Sequence, residues 1–161
     1  MNLVITMSGR HGTGASTIAE ELSEKLEIPV FDRTYIENEI HGGDFSKETE
    51  FVKKLAKESC IILGRCTPEI LKGQSNVFNI YVCADKEDRI ERIMTKEDLS
   101  YEDAKAQVEK IDRQRAEFNV EHTGKVWGDV NNFHMILDTS RLGIENCADI
   151  LIKYFERIDV I

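Results

Sequence analysis

The chain has no apolar run near the ~20 residues that a membrane span requires. It has no basic segment leading into a long apolar one at its start, so no secretory leader is expected. Basic residues are outnumbered, with 21 Lys and Arg against 30 Asp and Glu, giving a net charge of −9. That balance argues against broad binding to nucleic-acid polymers or to an anionic membrane surface. The cysteines Cys60, Cys66, Cys83 and Cys147 lack the spacing of a metal or redox pair. The four histidines are dispersed, with no cysteine or carboxylate at ligand spacing. Cys60 and Cys83 fall in apolar, strand-like runs, where cysteine acts as a small hydrophobe. A reducing, cytoplasmic setting is expected. Internal repeats and low-complexity segments are absent. The remainder is a composition suited to one soluble domain over residues 1–161, large enough to bury a core.

A further absence lies inside the most informative stretch. Leu3–Met7 is an apolar run, Ser8-Gly9-Arg10-His11-Gly12-Thr13-Gly14 follows, and Ala15, Ile18, Ala19, Leu22 and Leu26 then recur at helix spacing. Strand, glycine loop and helix in that order form the context of a phosphate-binding loop. The spacing matches G-x-x-x-x-G-K-[ST], with Gly9 and Gly14 as the glycines and Ser16 at the hydroxyl position. Ala15 stands where the lysine belongs. Backbone amides at a helix N-terminus can still cradle phosphate, and Ser16 can still ligate Mg²⁺. The cation that reaches the transferred phosphate must come from elsewhere or be lacking. A loop that only connects strand to helix is the plain alternative.

The rest of the chain alternates strands and helices. Pro29–Asp32 is a short second strand with Asp32 at its end, either facing a ligand or capping the next helix. Arg33 follows at the same edge. Residues 34–58 read as helical and polar, broken at 41–44, with Phe51, Val52, Leu55 and Ala56 as an apolar stripe. Cys60–Gly64 has the continuous apolarity of a buried parallel strand, and Arg65 at its mouth reads as an anion ligand. Val77–Ala84 is a fourth strand, and Lys86–Lys96 a helix whose Arg89 and Arg92 read as a solvated face. Ser100 opens a long helix with capping-box spacing to Asp103. Tyr101, Ala104, Val108, Ile111 and Phe118 share one face of it at ~100° per residue. Arg115 falls within that apolar arc, which is costly unless its charge is met, whereas Arg113 points the other way. Phe133–Asp138 gives a fifth strand, with His134 turned outward on an edge. Residues 139–144 lead to a last helix, apolar at Ile144, Ala148, Leu151, Ile152 and Phe155. A doubly wound parallel sheet is the economical architecture, with ligands at the strands' C-terminal ends.

Several stretches together resemble the cytidylate-kinase-like branch of the P-loop nucleoside monophosphate kinases. They are residues 5–26 with G-T-G-A-S-T, Phe31-Asp32-Arg33, residues 61–66 ending Gly64-Arg65-Cys66, and residues 111–144. The last segment contains Asp112-Arg113-Gln114-Arg115-Ala116-Glu117-Phe118, then Thr123-Gly124-Lys125-Val126-Trp127-Gly128-Asp129, then Leu137–Ile144. A loop without the lysine is itself common in this branch. The resemblance implies a three-layer α/β P-loop kinase fold, with a five-stranded parallel sheet in the order 2-3-1-4-5 and a helical lid over 100–132. It implies transfer of the ATP γ-phosphoryl group to a nucleoside monophosphate, CMP or dCMP, with Mg²⁺. Gly9, Arg10, Gly12, Thr13, Gly14, Ala15, Ser16 and Thr17 would hold ATP, with Ser16 on the metal. Asp32, Arg33 and Arg65 would face the acceptor. Arg113 and Arg115 would be the lid arginines. The partners implied are nucleotide substrates, for a monomer or homodimer. One departure concerns the acceptor clamp, since only the 27 residues 33–59 separate Asp32 from Cys60 and residues 34–58 are a shortened acceptor region. A nucleotide-binding relative without turnover, and a P-loop kinase of another small metabolite, are therefore the alternatives.

Overall fold

The structure, a computed structural model, describes residues 2–161. Strands β1 (Val4–Gly9), β2 (Val30–Phe31), β3 (Cys60–Leu63), β4 (Val77–Cys83) and β5 (Met135–Asp138) form one sheet. All its pairings are parallel and its order is β2-β3-β1-β4-β5. The helices are α1 (Ala15–Leu26), α2 (Arg33–Glu39), α3 (Phe45–Leu55), α4 (Thr67–Ile70), α5 (Lys86–Glu97), α6 (Tyr101–Thr123), α7 (Thr139–Leu142) and α8 (Ile144–Arg157). No helix among the described residues is long and apolar enough to cross a membrane.

Alternation along each strand sends successive side chains to opposite faces, and both faces are covered. Ile5, Met7, Ile61, Ile80, Val82 and Leu137 pack against Ile18 and Leu22 of α1 and Ala148, Leu151 and Phe155 of α8. Each such aliphatic side chain, fully buried, contributes roughly 1.5–3 kcal/mol. On the other face Val4, Ile62 and Val77 meet Ile36 of α2 and Val52 of α3. Thr6 lies between Ile62 and Asn79 in register, and its hydroxyl donates to Asn79 Oδ1 at 2.6 Å. A third cluster joins Ile90 and Ile93 of α5 to Ala104 and Val108 of α6.

The helix ends follow local chemistry. Asp32 and Asp44 cap α2 and α3 by accepting from Tyr35 N–H at 2.8 Å and Lys47 N–H at 3.1 Å. Ser100 caps α6 by accepting from Asp103 N–H at 3.2 Å, and Gly124 in the left-handed conformation ends it.

Two expectations change. Tyr101 is exposed and its hydroxyl donates to Glu87, so spacing alone misassigned it to the apolar face. The fifth strand begins at Met135, two residues later than its apolar run. His134 is exposed, as expected, but it lies just before the strand, where its ring Nδ1 accepts from Asn79 N–H and its backbone N–H donates to Asn79 O, both at 2.8 Å.

Candidate functional site

The glycine loop leaves β1 at its C-terminal end and enters α1 at Ala15. Gly12 and Gly14 have φ of +85° and +89°, a region that L side chains rarely adopt. A Cβ at Gly12 would lie 2.8 Å from Arg89 O, and one at Gly14 2.4 Å from the Ile144 side chain. No side chain caps α1. The positive end of its dipole therefore opens on the loop, the arrangement that favours an anion.

The loop carbonyls are held from outside. Arg115 NH1 donates to Gly9 O at 2.8 Å, Arg89 NH1 to His11 O at 3.2 Å, and Arg92 NH1 to Gly12 O. Thr139 Oγ1 donates to Thr13 O at 2.9 Å. Asp112 of α6 closes this frame, with Oδ1 accepting from His11 N–H at 2.9 Å and Oδ2 from Arg89 NH1 at 2.7 Å. Arg89 and Arg92 are therefore not a solvated face. Arg89 is a buried strut and Arg92 a cavity-lining cation. Arg10 adds charge at the mouth, 5.4 Å above the Trp127 ring. Arg10, Arg92 and Arg115 thus gather around a loop that lacks its lysine. Burial, and next the charge of Arg115, lower the pKa of His11, so its ring is neutral at pH 7. Part of the Arg115 side chain meets solvent, yet its charged end is hemmed in by protein. Burial lowers its pKa against the opposing pull of Asp112 and Tyr81.

Asp32 and Arg33 after β2 and Arg65 after β3 line the same cavity. Asp32 does cap α2, and it also lines the cavity. Arg33 and Arg65 both donate to Glu48 of α3. Sequence reading passed over Glu48, although it precedes Val52 by four residues and so shares the buried stripe. Arg65 also lies flat on Phe118 of α6, its guanidinium carbon 3.6 Å from the ring centroid. Beside it, burial pushes the Cys66 thiol up to about 11, which leaves it unreactive near neutrality.

Loop and arginines face one cavity of about 1360 Å³, larger than the roughly 300–1,000 Å³ typical of a single small-ligand site. Gly9, Arg10, Gly12, Thr13, Gly14, Ala15, Ser16, Thr17, Asp32, Arg33, Arg65 and Arg115 all line it. Arg113 does not line it and is exposed on the outer side of α6. Ser16 is exposed at the loop, where its hydroxyl is available as a ligand. No cluster of three or more His, Cys, Asp or Glu able to hold a metal occurs among the described residues. A divalent cation here fits the pattern of Mg²⁺, held by one or two protein oxygens together with substrate phosphates.

A parallel sheet in this order, a glycine loop under a helix N-terminus and arginines across a cleft define a P-loop kinase fold. Solved structures agree on the fold. A protein from Eubacterium ventriosum superposes with a TM-score of 0.88 at 21% identity, covering 98% of this chain and 99% of that one. Shikimate kinase from Acinetobacter baumannii, in complex with shikimate, gives 0.64 at 16% identity, covering 100% and 97%. The cytidylate kinase of Methanosphaera stadtmanae is 28% identical over 96% of this chain and 98% of its own length. That of Pyrobaculum islandicum is 28% identical over 94% and 92%. The model of the cytidylate kinase-like family matches residues 37–141. The chain belongs to the cytidylate kinase-like family, and these likenesses support a nucleotide kinase.

Proposed function

We propose that the protein transfers the γ-phosphoryl group of ATP to a nucleoside monophosphate, with CMP or dCMP as acceptor and Mg²⁺ as the metal. The carrying observation is that the loop and the Arg33–Arg65 pair line the same cavity at the C-terminal ends of β1, β2 and β3. The loop and α1 hold the donor phosphates, and Ser16 supplies a hydroxyl to the metal. Bound Mg²⁺ neutralises phosphate charge. Arg33 and Arg65 hold the acceptor phosphate so that one of its oxygens faces the γ-phosphorus. As that bond forms, the bond to the ADP oxygen breaks. Charge shifts during this step, and Arg115 and Arg92 stand where fixed cations stabilise it. The exposed Arg113 joins them only when the end of α6 and the loop to Asn132 move inward.

The test is ADP formation from ATP with each nucleoside monophosphate in turn, with CMP and dCMP expected to lead. No ADP with any of them refutes the proposal. Ala15 in place of the lysine favours a second reading, a nucleotide-binding relative without turnover. Thermal stabilisation by ATP and CMP with no ADP formed would identify that case.

A further inference from the structure

Glu48 sits on α3, a helix whose other buried contacts are apolar. Its side chain is 1% exposed, against 28% for Arg33 and 35% for Arg65. Each carboxylate oxygen takes a different partner, Oε1 accepting from Arg33 NH1 and Oε2 from Arg65 NH2 at 3.0 Å. Arg33 and Arg65 line the cavity and Glu48 does not. Viewed from the cavity, the carboxylate therefore lies behind the two guanidinium groups, outside the space an incoming anion takes.

The guanidinium group is a rigid plane of N–H donors. Tying one N–H of each plane to Glu48, with the Arg33 Nε also donating to Glu37 at 2.9 Å on the cavity wall, fixes where the remaining donors aim. Arg65 is held twice more, by the Phe118 ring on its face and by the walls that bury its Nε. That buried Nε has no acceptor among the described residues, so the donors of Arg65 left for an anion are its terminal N–H groups. Two like charges this close also repel: burial, and next the charge of Arg65, lower the pKa of Arg33. An anion between them at the back makes their closeness tolerable.

We propose that Glu48 is the positioning residue of the acceptor subsite, holding Arg33 and Arg65 as one preset fork for the dianion of a phosphate monoester. The proposal rests on the reading of this cavity as a nucleoside monophosphate site. Preorganisation of this kind lowers the ordering cost of binding and matters for the acceptor alone, because Glu48 touches nothing on the loop side.

The test compares wild type with Glu48→Gln and Glu48→Asp in steady state, varying CMP and ATP separately. Glu48→Gln is expected to raise KM for CMP by about tenfold to 100-fold, the scale of misplacing a binding group by ~1 Å. KM for ATP should stay within about twofold. Glu48→Asp keeps the charge and shortens the arm by one methylene, so its fold should survive and a smaller rise in KM for CMP should persist. Circular dichroism gives the folded fraction used to normalise kcat. If turnover is absent, CMP binding by calorimetry is the readout. An unchanged KM for CMP in both variants, or equal rises for both substrates, overturns the proposal. A lowered KM for CMP also overturns it, since Glu48 would then compete with the acceptor. Failure of both variants to fold makes Glu48 a fold residue and overturns it as well. Wild type that neither phosphorylates nor binds any nucleoside monophosphate refutes the functional reading itself, a result separable from any behaviour of the variants.

Discussion

Replacing Asp112 by Ala tests the frame around the glycine loop. Asp112 is 13% exposed at its side chain and its partner Arg89 is 5% exposed. Removing the carboxylate leaves a buried guanidinium without its counter-charge, and breaking a buried pair from one side costs about 3–5 kcal/mol. Arg89 keeps its bonds to His11 O and Ala84 O, both at 3.2 Å, so the loss should lie near the lower end, about 3 kcal/mol. For a chain of this size each kcal/mol moves Tm by ~2–4 °C, so Asp112→Ala should melt roughly 6–12 °C lower. Urea titration should show a lower midpoint with an unchanged slope, which marks lost stability rather than an altered denatured state. The double variant Asp112→Leu with Arg89→Met should recover much of the loss, because an apolar replacement of both partners is often neutral or better. ATP affinity should fall in the single variant and stay low in the double one, since both release His11 from its anchor. A stability loss in Asp112→Ala under ~1 kcal/mol would refute the buried strut. Full recovery of ATP binding in the double variant would refute its role in holding the loop.

Arg115→Ala should cut turnover by ~10³-fold or more, as when a charge-stabilising arginine is lost, while ATP affinity changes far less. Parallel losses in stopped-assay rate and in calorimetric ATP affinity would contradict that assignment. Ser16→Ala should weaken Mg-ATP binding by removing a hydroxyl ligand, and equal affinities in titration calorimetry would exclude the role. The lowered pKa of His11 means that the unfolded chain binds its proton first. Stability from this group is therefore present above pH ~6.5 and lost as pH falls from there toward the lower folded pKa. His11→Gln should flatten that part of the stability profile, and identical profiles for variant and wild type would remove His11 as its cause.

The strands were legible because their residues leave few choices. Cys60-Ile61-Ile62-Leu63 suits only a position covered on both faces, and it lies between β2 and β1. Strand order was not legible from periodicity and came with the family resemblance. The loop was legible from glycine spacing, and Arg115 from its place in an apolar arc. Arg89, Arg92 and Glu48 were missed for one physical reason. A charge on a helix is assigned to solvent unless its partner is known, and each partner here lies on another element. Asp112 is 23 residues beyond Arg89 and Arg65 is 17 beyond Glu48. Arg89 did carry a signal, since it stands four residues before the buried Ile93, as Glu48 stands before Val52. Tyr101 failed the opposite way, because its hydroxyl lies at the surface on Glu87 of α5 while Ala104 of the same turn takes the buried position.

Helix α6 is buried only at Ala104 and Val108, yet further along it carries Asp112, Arg115 and Phe118, which meet His11, Gly9 and Arg65. These three contacts fall within the seven residues 112–118, each step advancing the helix by ~100° and ~1.5 Å. Inserting or deleting a single residue between Val108 and Asp112 would swing all three away together while leaving the packed base of the helix intact. The length of this stretch is thus dictated by reach rather than by burial. In a redesign of the protein, substitutions along its outer edge are permissible where a change of one residue in length is not.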